Sequence, residues 1–131
     1  MGSMSDYLED AVLNHIFGKS SYTPPTIYVG LSTADPLDDG SGLAEPSGGS
    51  YARAATSASD WTTASGGSIS NANEIAFPQA TGDWGTCTHF ALFDAATGGN
   101  MLYHGALTTS KNPTAGDTAS FAPGDLTVTQ D

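Results

Sequence analysis

The sequence is poor in the residues on which most binding and catalytic sites depend. Of its 131 residues, three are Lys or Arg, one is Cys and only 13% are charged, with a formal net charge of −11. So acidic a chain lacks the basic surface that nucleic-acid binding requires, and anionic membranes repel it. No run approaches the roughly 20 apolar residues of a membrane span, and no basic segment precedes an apolar run as in a secretory signal. We therefore expect neither a nucleic-acid partner nor a membrane partner.

Motifs for catalysis are also missing. The single cysteine, Cys87, excludes an intramolecular disulfide and a cysteine zinc cluster, and its apolar neighbours favour a small buried side chain. The sequence contains no Gly-x-Ser-x-Gly nucleophile turn and no glycine-rich phosphate-binding loop. We predict that the protein is not an enzyme and that it binds no cofactor and no metal.

Large apolar residues are scarce, but they are clustered. Leu, Ile, Val and Phe supply 21 residues, while Gly, Ala, Ser and Thr supply about half of the chain. This composition borders on that of disordered proteins. The large residues nevertheless fall into short strand-like runs separated by turn residues, which is typical of a folded β domain. A core this thin favours oligomerisation, because assembly buries further apolar surface.

A short amphipathic helix is predicted over residues 6–17. Asp6 and Glu9 have the spacing of a capping box, Ser5 is an alternative cap, and Gly18 is placed to end the helix. Either the β domain of the same chain or a neighbouring subunit covers the apolar face, since so short a helix is marginal alone. The candidate docking face consists of Leu8, Val12, Ile16 and Phe17.

The rest of the chain reads as short strands separated by turns. Residues 26–33 alternate apolar and polar side chains, and residues 68–77 do so with a potential bend at residues 71–73. Residues 86–94 and 101–107 form a hairpin, and the first of these strands is apolar on both faces, which marks a central strand. By alternation, its two faces carry Cys87, Ala91 and Phe93 on one side and Phe90 and Leu92 on the other.

The predicted fold is mainly β, an antiparallel sandwich or barrel preceded by one short N-terminal helix. Residues 1–4 look like a remnant of an expression vector and are left out of the fold. Residues 5–19 contain the helix, and residues 20–131 form a single β domain.

Histidines, acidic residues and tryptophans are the remaining candidates for a site. His89 and His104 face each other only if paired residue numbers in the hairpin sum to about 193. Asp38 and Asp39 lie in an acidic loop without the spacing of an EF-hand, which indicates a solvated loop or else a weak adventitious cation site. They are also candidate contacts with a partner or a glycan. Trp61 lies among small polar residues and is the other candidate contact, because aromatic faces stack on sugars. Trp84, beside Gly85 at a strand start, reads as a core anchor.

Several segments in order resemble a known family. They are residues 4–17, Thr-Ile-Tyr-Val-Gly-Leu at 26–31, Ser-Gly-Gly-Ser-Tyr-Ala-Arg at 47–53, the hairpin region 84–107, and residues 124–129. Together they resemble small structural proteins of tailed-phage virions, commonly labelled phage tail fibre proteins, over nearly the whole native chain. The chain has no coiled-coil, collagen-like or β-helix repeats, so it fits a compact knob, adaptor or decoration subunit better than a long rod.

The resemblance implies a virion structural protein, assembled in the host cytoplasm, that binds other virion proteins and copies of itself. We expect a homo-oligomer, with a trimer as the first expectation. Two alternatives stay open. One is a capsid decoration protein that clamps the head shell, and the other is a carbohydrate-binding module that contacts host-surface glycans through Trp61.

Overall fold

Strands make up most of the regular structure in residues 2–130, the part of the chain that the computed structural model describes. In chain order the elements are β1 (Gly2–Met4), α1 (Asp6–Ile16), β2 (Tyr28–Ser32), β3 (Ala54–Ala55), a 3₁₀ turn (Ala58–Asp60), β4 (Ser68–Ser70), β5 (Ile75–Ala76), β6 (Cys87–Phe93), β7 (Met101–Lys111), β8 (Ser120–Phe121) and β9 (Thr127–Thr129).

Seven of these strands form one curled sheet, a half-barrel, in the order β3-β2-β6-β7-β1-β9-β4. Strands β5 and β8 pair separately as a two-stranded sheet. The predicted fold class, mainly β with one short N-terminal helix, is confirmed. Within residues 2–130, no helix has the length and apolarity needed to cross a bilayer.

The hairpin of β6 and β7 lies at the centre of the large sheet. β6 runs between β2 and β7 and is antiparallel to both. Both of its faces are buried: Phe90 and Leu92 belong to the main hydrophobic cluster, and Ala91 and Phe93 belong to a smaller one that also contains Met101. The prediction of a central strand is therefore confirmed.

A bulge changes the face on which Cys87 lies. Simple alternation placed Cys87 with Ala91 and Phe93, but the structure places it in the main cluster with Phe90 and Leu92. The physical reason is the irregular register between Cys87 and His89, which breaks the period of two on which the prediction rested. The thiol is fully buried, as expected, and burial raises its pKa.

The first residues are part of the sheet, which corrects their exclusion from the predicted fold. β1 pairs antiparallel with β7, where Ser3 lies opposite His104, and parallel with β9, where Gly2 lies opposite Val128. Glycine suits the start of this strand, because a Cβ at Gly2 would lie 2.7 Å from the Phe90 ring. Within residues 2–130 the pairing of β1 with β9 is parallel, and the other strand pairs are antiparallel, as the predicted fold class requires. The origin of these residues stays a prediction.

The strand predicted over residues 68–77 divides at Asn71 into two strands that belong to different sheets. β4 pairs with β9, and β5 pairs with β8. Asn71 is buried between them, and its side chain bonds to backbone groups of Asn73, Ala122 and Leu126. These bonds take the place of ladder hydrogen bonds, so the chain turns there.

Two parts of the core confirm predictions about single residues. Trp84 is buried, donates from its indole N–H to the Gly49 carbonyl at 2.9 Å, and contacts the Tyr51 ring edge-on at a centroid distance of 5.1 Å. It is therefore the predicted core anchor. Leu8 of α1 is buried with Met4 and Leu102, so the helix packs on the β domain of its own chain.

Candidate functional site

A groove of about 690 Å³ lies beside α1, and we call it the helix groove. Residues of α1, of the extended segment 22–27, of the 3₁₀ region and of the sheet all contribute to its wall. Among residues 2–130, no Asp, Glu, Lys or Arg side chain lines it. The groove therefore suits an apolar occupant better than a charged one. Its lining includes Leu8, Val12, Ile27, Ala58, Trp61 and Tyr103.

Trp61 forms part of this wall instead of standing free on the surface. The side chain is half-buried and packs against the main hydrophobic cluster. Its indole N–H donates to the Thr56 hydroxyl at 3.0 Å, and that hydroxyl donates to the Ile27 carbonyl at 2.8 Å. Thus the ring is fixed by neighbours that the sequence did not reveal. Its contact with a partner or a glycan stays a prediction.

An ionised carboxylate lies next to Trp61 in the sequence. The Asp60 carboxylate accepts hydrogen bonds from the Ser57 backbone N–H at 2.9 Å and from the Asn73 side-chain amide at 3.2 Å. These bonds, led by the one from Ser57, lower the pKa of Asp60 below its usual value. Asp60 therefore carries a negative charge in the segment between Ala58 and Trp61, which both line the groove, although Asp60 itself does not line it.

The C-terminal end of α1 exposes three large apolar side chains, and we call it the apolar helix end. Leu13 is 56% exposed, Ile16 is 70% exposed and Phe17 is 72% exposed. The predicted docking face is thus divided between two surfaces. Leu8 and Val12 face the chain's own domain, whereas Ile16 and Phe17 point to solvent. Whether any of them contacts a partner stays a prediction.

A Schellman motif terminates the helix at this point. The Gly18 N–H donates to the His15 carbonyl at 3.2 Å, and the Lys19 N–H donates to the Asn14 carbonyl at 2.8 Å. Gly18 has φ of +73°, a left-handed conformation that glycine adopts without steric cost. Phe17 is the last residue before that turn, so hydrogen bonds hold its backbone in place.

The N-terminal end of the same helix is attached to the sheet by its cap. Ser5 is the cap: its hydroxyl accepts from the Leu8 N–H at 3.2 Å and donates to the Met101 carbonyl at 2.5 Å. The predicted alternative cap is therefore the one used, in preference to Asp6. The Ser5 bond to β7 and the packing of Leu8 on Leu102 therefore hold α1 against the sheet, while the Schellman bonds fix the local shape of the apolar helix end.

The other predicted contacts, Asp38 and Asp39, lie at a different place. They line a separate cavity of about 400 Å³ that shares no lining residue with the helix groove. The Asp38 carboxylate lies 2.6 Å from the ring nitrogen Nε2 of His104, and its carbonyl accepts from the Asp6 N–H. The Asp39 carboxylate accepts from the Ser41 N–H, which lowers the pKa of Asp39. These bonds brace the acidic loop against α1 and β7.

The histidines are not brought together. His89 pairs with Ala106 and His104 pairs with Ala91, so the paired numbers sum to 195 and the two histidines are not opposite one another. His15 accepts through Nδ1 from the Tyr22 N–H at 3.1 Å. In the described part of the chain, no group of three or more His, Cys, Asp or Glu side chains is arranged to hold a metal ion.

Sequence reasoning missed a buried cluster around Arg53, the only arginine of the chain. Its guanidinium binds both carboxylate oxygens of Glu45, at 2.6 and 3.0 Å, and donates to the carbonyls of Ala95 and Gly98 at 2.8 and 2.9 Å. It also stacks on Phe93, with 3.4 Å between Cζ and the ring centroid. One feature of the sequence could have indicated this cluster. Arg53 lies within a run of small residues predicted as a strand, where a long charged side chain needs a partner of opposite charge.

Tyr51 extends this cluster into the sheet. Its hydroxyl donates to Glu45 at 2.6 Å and accepts from the Leu31 N–H at 3.0 Å. Burial and the bond to Glu45 raise the pKa of Tyr51 well above its usual value. The cluster therefore joins the loop before β3, strand β2 and the β6–β7 turn. Its role is structural, because its bonds hold these three segments together.

The structure thus combines a β domain with an exposed apolar helix end and a groove without charged lining residues among those described. The chain matches the family described as Podophage GP4 fiber I protein gp80 over residues 3–129, and it belongs to that family. It is thus a member of a family of phage fibre structural proteins, as the sequence resemblance implied. A comparison with curated proteins gives no match.

Proposed function

We propose that this protein is a tail-fibre subunit of the phage virion that acts by binding other virion proteins and copies of itself. In this proposal it performs no catalysis, and it joins the virion during assembly in the host cytoplasm. Membership of the fibre family supports the virion setting.

The apolar helix end is the observation that carries the assembly role. Single exposed apolar residues are common on protein surfaces, but three large ones within the last two turns of a helix form a patch. Burying one such side chain completely is worth about 1.5–3 kcal/mol. A contact that covers the patch would therefore contribute usefully to assembly in a chain whose core is small.

Self-assembly is tested by light scattering at high micromolar concentration and physiological salt. We expect a mass of three chains instead of the 13.3 kDa of one. Salt matters because copies with a net charge of −11 repel each other, and ions screen that repulsion. A mass of one chain at every concentration and salt would contradict self-assembly.

Location in the virion is tested by immunogold labelling of the parent phage particle. Antibodies against the folded protein should label the tail fibres. Label confined to the head shell would contradict the proposal and assign the capsid decoration role instead.

A further inference from the structure

The chain carries two apolar surfaces that do not cover one another. The apolar helix end projects Leu13, Ile16 and Phe17 into solvent, and the helix groove is an uncharged cavity of about 690 Å³. Leu8 and Val12 of the same helix form part of the groove wall. A rigid helix cannot both form this wall and fold its own C-terminal end into the groove. An apolar helix end that fills the groove must therefore come from another molecule.

The charges favour a second copy of this chain as that molecule. Of the three Lys and Arg residues, Arg53 is paired with Glu45, and Lys111 donates to the Ser120 carbonyl at 2.9 Å. The third, Lys19, is exposed and follows Phe17 by two positions, directly beside the apolar helix end. The groove lining is uncharged within the described residues, but the chain carries a carboxylate next to it: Asp60 lies in sequence between Ala58 and Trp61, which both line the groove.

We propose that the apolar helix end of one copy inserts into the helix groove of a neighbouring copy, with Lys19 close to the neighbour's Asp60. This contact deepens the proposed function and rests on it. It joins two different surfaces, so repetition closes a ring when the rotation between copies allows it. The proposal accounts for why a chain this acidic has an exposed lysine next to its largest exposed apolar side chains.

Cysteine cross-linking tests which surfaces meet. Cys87 is fully buried, so cysteines introduced at exposed positions are the reactive thiols of the folded protein. The two variants are Phe17→Cys, which keeps Leu13 and Ile16 in the apolar helix end, and Ala58→Cys, at an exposed position of the groove wall. They are mixed at a concentration more than about tenfold above that at which the wild type associates, to offset the loss of the Phe17 ring. On mild oxidation, an equimolar mixture should yield a disulfide-linked pair of one Phe17→Cys chain and one Ala58→Cys chain. Each variant alone should stay largely monomeric on a denaturing gel. Dimers of Phe17→Cys chains alone, or no cross-link in the mixture, would overturn the proposal.

Association measured by light scattering gives an independent test. Phe17→Ser and Ile16→Ser should each weaken association by about tenfold or more, since each removes a large apolar side chain from the contact. Leu37→Ser is the matched control, because Leu37 is 48% exposed but lies on the acidic loop. Its association should equal that of the wild type. Helix variants that associate as strongly as this control would overturn the contact.

These experiments distinguish an incorrect groove contact from an incorrect tail-fibre role. If the helix variants keep their oligomers while immunogold label is found on the fibres, the groove contact is wrong and the proposed function stands. If the cross-link forms while the label lies on the head, the contact stands and the tail-fibre assignment is wrong.

Discussion

Arg53 offers the sharpest test of how this thin-cored domain is held together. Its side chain is 6% exposed and that of its partner Glu45 is 20% exposed, so the ion pair lies mostly out of water. Arg53→Met removes the charge and the donors but keeps an apolar stem against Phe93. Glu45 is then left with the Tyr51 hydroxyl as its remaining donor in the cluster.

The expected loss of stability follows from these contacts. Removing one partner of a buried ion pair costs about 3–5 kcal/mol. The partial exposure of Glu45 and its bond from Tyr51 reduce the cost, while the two lost bonds to loop carbonyls add roughly 1 kcal/mol each. We expect Arg53→Met to lower the free energy of unfolding by about 3 kcal/mol. Arg53→Lys should cost about half as much, because an ammonium cannot bind both carboxylate oxygens and both carbonyls in this planar arrangement.

Urea denaturation followed by circular dichroism measures these losses, and thermal melting should show a fall of about 10 °C for Arg53→Met. Lys19→Met is the matched control, measured like both Arg53 variants at a concentration where the chain is monomeric: it removes an exposed cation, and its effect should stay within about 0.5 kcal/mol. The reasoning is refuted if Arg53→Lys unfolds at the wild-type midpoint, or if Arg53→Met costs no more than Lys19→Met.

Three further predictions concern single side chains. Asn71→Ala should lower the free energy of unfolding, measured by urea denaturation, by about 3 kcal/mol, because it leaves buried backbone groups without hydrogen-bond partners. Asn73 is exposed, so Asn73→Ala should lower it by less than about 1 kcal/mol. Equal losses for the two variants would contradict this prediction. Cys87 should react with a thiol reagent only once the protein is unfolded, and fast labelling of the native protein at pH 8 would contradict its burial. Bonds from Thr114 lower the pKa of Asp117, so the stability they add is present above the unfolded pKa of about 4 and is lost as pH falls through the folded pKa. Asp117→Asn should therefore lower the urea midpoint at pH 7, and a deficit that persists in full in strong acid would contradict this.

Local patterns predicted the elements whose partners are near in sequence. The apolar period and the flanking Ser5 and Gly18 located α1 to within one residue, because helix bonds and caps form between close neighbours. Alternation located β2 and the β6–β7 hairpin for a similar reason. The face of Cys87 and the pairing of His89 were not predictable in this way, since one bulge shifts every later register.

The candidate contacts were predictable as residues but not as a site. The sequence marked Trp61 together with Leu8 and Val12, without indicating that one groove would unite them. Helical spacing joined Ile16 to Leu8, whereas the structure separates them into an exposed end and a buried face. Burial depends on where the rest of the domain lies, and no pattern within one helix contains that information.

Sequence alone determined that this protein is acidic and mainly β, with one short helix near its N-terminus, because charge, alternation and capping are properties of single residues and near neighbours. Tertiary structure decided the groove, the exposed helix end, the strand made by Gly2–Met4 and the Arg53 cluster. The bond from Arg53 to Ala95 spans 42 positions of sequence. Such contacts depend on the relative placement of separate strands and loops, which packing of the whole chain sets.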